Sequence, residues 1–240
     1  MKSTSNEHSI HLFGGETAGF LCEESWNGIV SNEQEHAAKL IRQRDQESFI
    51  VTRSQLRKQL SERLGVPPLA IEFKQNAFGK SSLVDFPNVH FSVAHTDHAF
   101  VIAITNDFPV GVDIEFQHRK FDLRKIASFA FTSEEQTFLN ELNLGSNQQV
   151  EILKLWTQKE ALVKCLGTSL ESGMQSFSLL NERKGTINDV LQIHQNEHVY
   201  SLITGAWLPT FFISVACESP DLISPHILFQ NVSNPLFRCA

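Results

Sequence analysis

The sequence predicts an α+β protein in two similar-sized halves. Helix-like stretches are followed by strand-like ones, and that order occurs twice along the 240 residues. The helical stretches close on Gly or Pro, and the strand-like ones are short, apolar, β-branched and bounded by turn residues. The halves are read as residues 1–108 and 109–219, with 220–240 as an irregular, Pro-punctuated tail. FSVAH at 91–95 and ISVAC at 213–217 share SVA, which is too short to argue for duplication.

Each element has a local reason. Ser31, with Gln34 three residues on, is read as a capping box opening the first helical stretch. Ile50, Leu56, Leu60 and Leu64 mark one face of IVTRSQLRKQLSERL, which stops at Gly65 and Pro67-Pro68. IEFKQNAFGKSSLVDF reads as a strand, a turn at Gly79 and a return. HFSVAH and AFVIAIT form a hairpin about Thr96-Asp97-His98, and VGVDIEF follows Asp107-Phe108-Pro109 as a further strand. Residues 121–143 are helical in period, with Thr132 and Glu135 as a second capping box. VEILKLWTQKEALVKCLG is a long helix closed by Gly167, after which FSLL, VLQIH, HVYSLITGAWL and TFFISVAC read as strands.

Composition narrows the class. Apolar residues make up 41% and charged ones 20%, an ordinary globular balance. A net charge of −7 argues against a general binder of nucleic acid or anionic membrane. The local basic stretch from Lys39 to Arg63 is read first as a solvated helix face. Cys22, Cys165, Cys217 and Cys239 are scattered without a CxxC pair, so reduced thiols are expected. MKSTSNEHSIHLF has no apolar signal core, and no run approaches the roughly 18 apolar residues of a spanning helix. A cytoplasmic protein is expected.

Four features carry chemistry. In GVDIE, Asp113 and Glu115 lie two apart on a strand and face the same way. Two carboxylates held together repel unless a positive charge lies between them, and a hard cation such as Mg²⁺ takes such oxygen ligands; the plain alternative, favoured by this motif alone, is a strand end where both fan into solvent. In LWTQKEALVK, Glu160 and Lys164 share a helix face, which allows a third carboxylate and an anion-holding ammonium. The plain alternatives are a helix salt bridge and a Thr157–Glu160 cap. Gly79-Lys80 offers a close backbone approach and a point charge for phosphate, although the P-loop spacing is absent. His90, His95 and His98 fit no standard zinc spacing, and His95 ends a strand where side chains reach a cleft.

In order, these motifs resemble the Sfp-type 4′-phosphopantetheinyl transferases. Gly79-Lys80-Ser81, Phe91 to His95, Gly111 to Glu115, Phe131 to Glu135 and Trp156 to Lys164 stand where that family has GKP, FNxSH, G(V/I)D(I/L/V)E, FxxxE and WTxKEAxxK. The resemblance spans roughly residues 30–217. It implies two similar α/β halves related by a pseudo-twofold, with coenzyme A between them. It also implies transfer of phosphopantetheine from coenzyme A to a serine of an apo acyl, polyketide or peptidyl carrier protein, of holo-acyl-carrier-protein synthase type. The nucleotide 3′,5′-ADP is released. By motif, Asp113, Glu115 and Glu160 match the Mg²⁺ ligands, and Lys80, His95 and Lys164 match contacts to coenzyme A phosphates. Glu135 matches an acidic position near the metal. Glu160, or a water on the metal, is the base for the carrier serine. A monomer is implied, since the coenzyme site forms within one chain. Ala94, Ser81 and Ser92 depart from the family's Ser, Pro and Asn, which bears on coenzyme A affinity. Two rival readings are a metal-dependent hydrolase using His95, His98, Asp113 and Glu115, and a non-catalytic carrier-binding homologue.

Overall fold

Two four-stranded sheets, each backed by one long helix, frame the molecule. The computed structural model describes residues 9–17, 21–96, 98–106, 108–119, 123–141, 146–180, 190–195, 197–208, 210–218 and 226–232. Strand β1 (Ser9–Glu16) precedes helices α1 (Glu23–Asn27), α2 (Ser31–Ala38) and α3 (Gln43–Leu64). Strands β2 (Phe73–Gln75), β3 (Ser81–Leu83), β4 (Val89–His95), β5 (Ala99–Asn106) and β6 (Val110–Phe116) follow. Helices α4 (Leu123–Ala130), α5 (Ser133–Glu141), α6 (Ser146–Leu166) and α7 (Leu170–Gly173) come next. Strands β7 (Val190–Gln195), β8 (His198–Trp207), β9 (Phe211–Glu218) and β10 (His226–Asn231) complete the order.

The sheets run β10-β1-β5-β4 and β6-β9-β8-β7, with β2 and β3 as a separate pair. Edge strand β4 of one sheet lies against edge strand β6 of the other. The Val112 amide, turned away from its own sheet, donates to Ser92 Oγ across that seam at 3.1 Å. One core joins Leu56 and Leu60 of α3 to Phe100, Ile102 and Ile104 of β5. A second joins Leu155, Ala161 and Leu162 of α6 to Leu202 and Ala216. A third fills the seam, where Val112 and Ile114 meet Ile10, Leu12, Ala94 and Val101. Strand β6 is therefore buried on both faces, with its carboxylates on the α6 side.

Several expectations change. The stretch 226–231, expected to be irregular, is β10, a parallel partner of β1 in the first sheet. Strand β10 thus lies in the same sheet as β1; 219–225 and 233–240 lie outside the described residues, as do Asp97 and Cys239. FSLL is not a strand: the Phe177 carbonyl and Leu179 amide bond to Lys159 and Glu135 instead of to a ladder. Ser31 does not cap α2, because the helix begins on it; Glu33 reaches back to the Val30 amide at 3.1 Å. Glu33 also pairs with Arg53 and Arg57, so two cations of the supposed basic face point inward. Thr157 is not a cap either; it lies inside α6 and donates to the Leu153 carbonyl at 2.7 Å. Cys165 and Cys217 are free thiols, and burial pushes both up to about 12, which keeps them unreactive. Among the described residues, no helix is long and apolar enough to cross a membrane.

Candidate active site

The site forms where β6 lies on α6. Gly111 permits the approach: a Cβ there would fall 2.0 Å from the Ala161 carbonyl oxygen and 2.4 Å from the Cys165 amide nitrogen. Two residues along, Asp113 meets the last turns of the helix. Lys164 Nζ donates to Asp113 Oδ1 at 2.7 Å and lies 3.4 Å from Glu160 Oε2. Glu115 is held from the other side by Arg119 and by Trp156 Nε1, which donates to its Oε1 at 3.1 Å. The strand and helix motifs thus supply Asp113, Glu115, Glu160 and Lys164 to one cluster. Arg119 and Trp156 also belong to it. Trp156 sits one turn before Glu160 on the same helix; Arg119 follows the strand by three residues and gave no sequence signal.

Burial governs the charges. It pushes Asp113 well above the usual carboxylate range; Lys164 pulls it back, while Glu160 and Glu115 add to the rise. Glu115 is also raised by burial, against the bond and charge of Arg119. Burial alone would lower Lys164, but Asp113 and Glu160 outweigh it and hold its pKa above the ordinary value. Lys164 therefore stays an ammonium, and three carboxylates face two cations.

Among the described residues, no group of three His, Cys, Asp or Glu side chains is placed to hold a metal ion as it stands, and Lys164 pairs with both Asp113 and Glu160. The donor set nevertheless fits a hard cation. Asp113 Oδ2 and Glu115 Oε2 are buried oxygens with no hydrogen-bond partner. Such atoms are costly to leave unsatisfied, and oxygens of this kind are what a hard cation takes.

Glu135 has a different setting. It accepts from the Thr132 amide at 2.9 Å and from the Leu179 amide at 2.9 Å, and pairs with fully buried Lys159. Its own amide donates to Thr132 Oγ1 at 3.3 Å, so the expected capping box is present. Glu135 thus joins α5 and the 177–179 segment to the underside of α6.

Two clefts open on the cluster. One, of about 260 Å³, is lined by Phe78, Lys80, Ser92, Lys164, Thr168 and Leu170. The other, of about 420 Å³, includes Arg42, Ser48, His95, His98, Glu115 and Arg119. Lys80 lines the first cleft, but its ammonium ends on backbone carbonyls of α6 and β6. His90 lies apart from both, in a third hollow beside β3. His95, His98 and Glu115 line one cleft.

Comparison with known proteins finds similarity to the same family that the motifs resemble. Residues 109–210 match the family model of the 4′-phosphopantetheinyl transferase superfamily. The chain is 32% identical over 160 residues to the 4′-phosphopantetheinyl transferase gsp of Aneurinibacillus migulanus, covering 66% of this chain and 65% of that protein. It is 26% identical over 183 residues to psf-1 of Bacillus pumilus, covering 76% of each. To Sfp of Bacillus subtilis it is 25% identical over 167 residues, covering 69% of this chain and 71% of that protein. The chain spans about two thirds of the length of the first of these relatives. The Sfp-type resemblance read from the motifs is borne out.

Proposed function

We propose that this protein transfers the 4′-phosphopantetheine arm of coenzyme A to a serine of an apo carrier protein, as a holo-acyl-carrier-protein synthase does. The observation that carries this is the pair of partnerless buried oxygens on Asp113 and Glu115, in a cluster that also holds Glu160 and Lys164. Names of relatives similar over most of the chain support the reaction class. The edge-to-edge sheets, each with its long helix, support reading two related halves with the site between them.

Asp113, Glu115 and Glu160 would hold Mg²⁺. Bound there, the ion would offset negative charge gathering on the pyrophosphate. Lys164 adds an ammonium on the side of the smaller cleft. His95 lines the larger cleft beside Arg42 and Arg119, which pair with Asp45 and Glu115 of the same wall, and would be the group there to meet a coenzyme A phosphate. Lys80 adds its stem to the wall of the smaller one. The carrier serine oxygen forms the new bond to the phosphorus bearing pantetheine. The bond to the nucleotide phosphate breaks, and 3′,5′-ADP leaves with the electron pair. The serine proton passes to Glu160, whose side chain is 14% exposed against 6% for Asp113 and 7% for Glu115. The carrier is of acyl, polyketide or peptidyl type, and the protein acts as a monomer in the cytoplasm.

The test is carrier-dependent release of 3′,5′-ADP from coenzyme A with and without Mg²⁺. Release that needs both carrier and ion supports the reading; hydrolysis of coenzyme A without carrier overturns it. A linked pH effect is expected. The folded pKa of Asp113 lies above its unfolded value. Stability tied to its proton is therefore present at low pH and is lost as pH rises through that elevated pKa. Mg²⁺ should accordingly raise the melting temperature more at neutral pH than in acid; equal increments would contradict the metal assignment.

A further inference from the structure

Lys80 and Asn76 belong to the turn between β2 and β3, yet their side chains end on the last turn of α6. Lys80 Nζ donates to the Cys165 carbonyl at 2.7 Å and to the Val110 carbonyl at 3.4 Å. Asn76 Nδ2 donates to the Gly167 carbonyl at 2.8 Å. The turn is wound about Asn76, whose Oδ1 accepts from the Phe78 and Lys80 amides at 2.9 and 3.0 Å. Gly79, at φ 85°, lets the chain double back there.

The last carbonyls of a helix have no partner within it and carry the negative end of its dipole. An ammonium placed there gains both a hydrogen bond and a favourable charge interaction. Gly167, at φ 67°, leaves the room: a Cβ would lie 2.9 Å from Lys80 Cδ. The two acceptors matter because of what adjoins them. Val110 opens the strand that bears Asp113 and Glu115, and Cys165 follows Lys164 directly. One ammonium thus ties the start of the carboxylate strand to the end of the Glu160–Lys164 helix. Burial depresses the Lys80 pKa, as expected for a cation withdrawn from solvent into this joint.

We infer that Lys80 is a positioning residue, whose ammonium fixes α6 against β6 and so sets the spacing of Lys164 from Asp113, rather than a direct ligand of coenzyme A phosphate. The kinetic part of this inference rests on the transferase reading; the structural part does not.

The test uses the full chain with Lys80→Met, which keeps the stem and removes the charge. Hydrogen exchange is followed over 110–115 and 161–167. Exchange about tenfold faster in both segments together is expected, through local opening of the joint. Unchanged exchange would overturn the inference even if no carrier is ever found. In turnover, kcat should fall about tenfold or more with the KM for coenzyme A nearly constant, since misplaced catalytic groups cost rate. Lys80→Arg, which keeps a donor and a charge, should recover part of the loss. A raised KM with unchanged kcat would overturn positioning in favour of phosphate contact. If Lys80→Met does not fold, Asn76→Ala serves, with faster exchange confined to 161–167 expected and no change counting against the joint. Failure of the wild type to modify any carrier would strike the transferase reading, and the exchange result would still decide this one.

Discussion

Gly111→Ala should cut transfer by about a hundredfold and destabilise the protein. The added Cβ would lie 2.0 Å from a carbonyl oxygen and 2.4 Å from an amide nitrogen of α6. Neither atom is the end of a flexible side chain, so the helix must move off the strand. Overpacking of this kind costs about 1–3 kcal/mol or more. The catalytic cost is of similar size, because the shift separates Asp113 and Glu115 from Glu160 and Lys164; a displacement of about 1 Å can cost on the order of a hundredfold in rate. Gly205→Ala is the control, since nothing lies within 4 Å of its Cβ position. Chemical denaturation and turnover of the two variants check the claim. Equal behaviour would mean that the β6–α6 approach does not limit the site.

Lys159→Met should cost about 3–5 kcal/mol of stability, the range for breaking one side of a buried ion pair. Lys159 and Glu135 have fully buried side chains. Removing the ammonium leaves the Glu135 carboxylate without a counter-charge and the Phe177 carbonyl without its donor at 3.0 Å. The cap on α5 and the 177–179 segment share that carboxylate, so the damage should extend beyond one contact. Urea unfolding measures it. A loss below about 1 kcal/mol, the scale of an exposed pair, would show that burial does not govern this interaction.

How much was legible follows from how local each signal was. Helix α6, the β4–β5 hairpin and β6 announce themselves through period, β-branching and a stop at Gly167. The facing of Asp113 and Glu115 follows from strand geometry alone. Strand β1 escaped because its Gly14-Gly15 pair breaks the look of a strand. Gly14 is small because the Phe229 ring lies 3.0 Å from its Cβ position. Strand β10 escaped because most of its side chains are exposed and its partner lies at the other end of the chain. The hold of Arg119 on Glu115, the Ser92 bond across the seam and the Lys80 joint are contacts between distant or irregular segments, which periodicity does not report. Ser92, read as a departure from the family's Asn, turns out to satisfy the Val112 amide at the seam.

The most direct measurement is intact-mass spectrometry of several apo carrier proteins incubated with this protein, coenzyme A and Mg²⁺, beside a sample carrying Glu160→Gln. One phosphopantetheine should appear on a carrier serine with the wild type and be absent with the variant over the same time. A folded wild type that binds coenzyme A yet modifies no carrier, or a Glu160→Gln variant that modifies one equally well, would contradict the account.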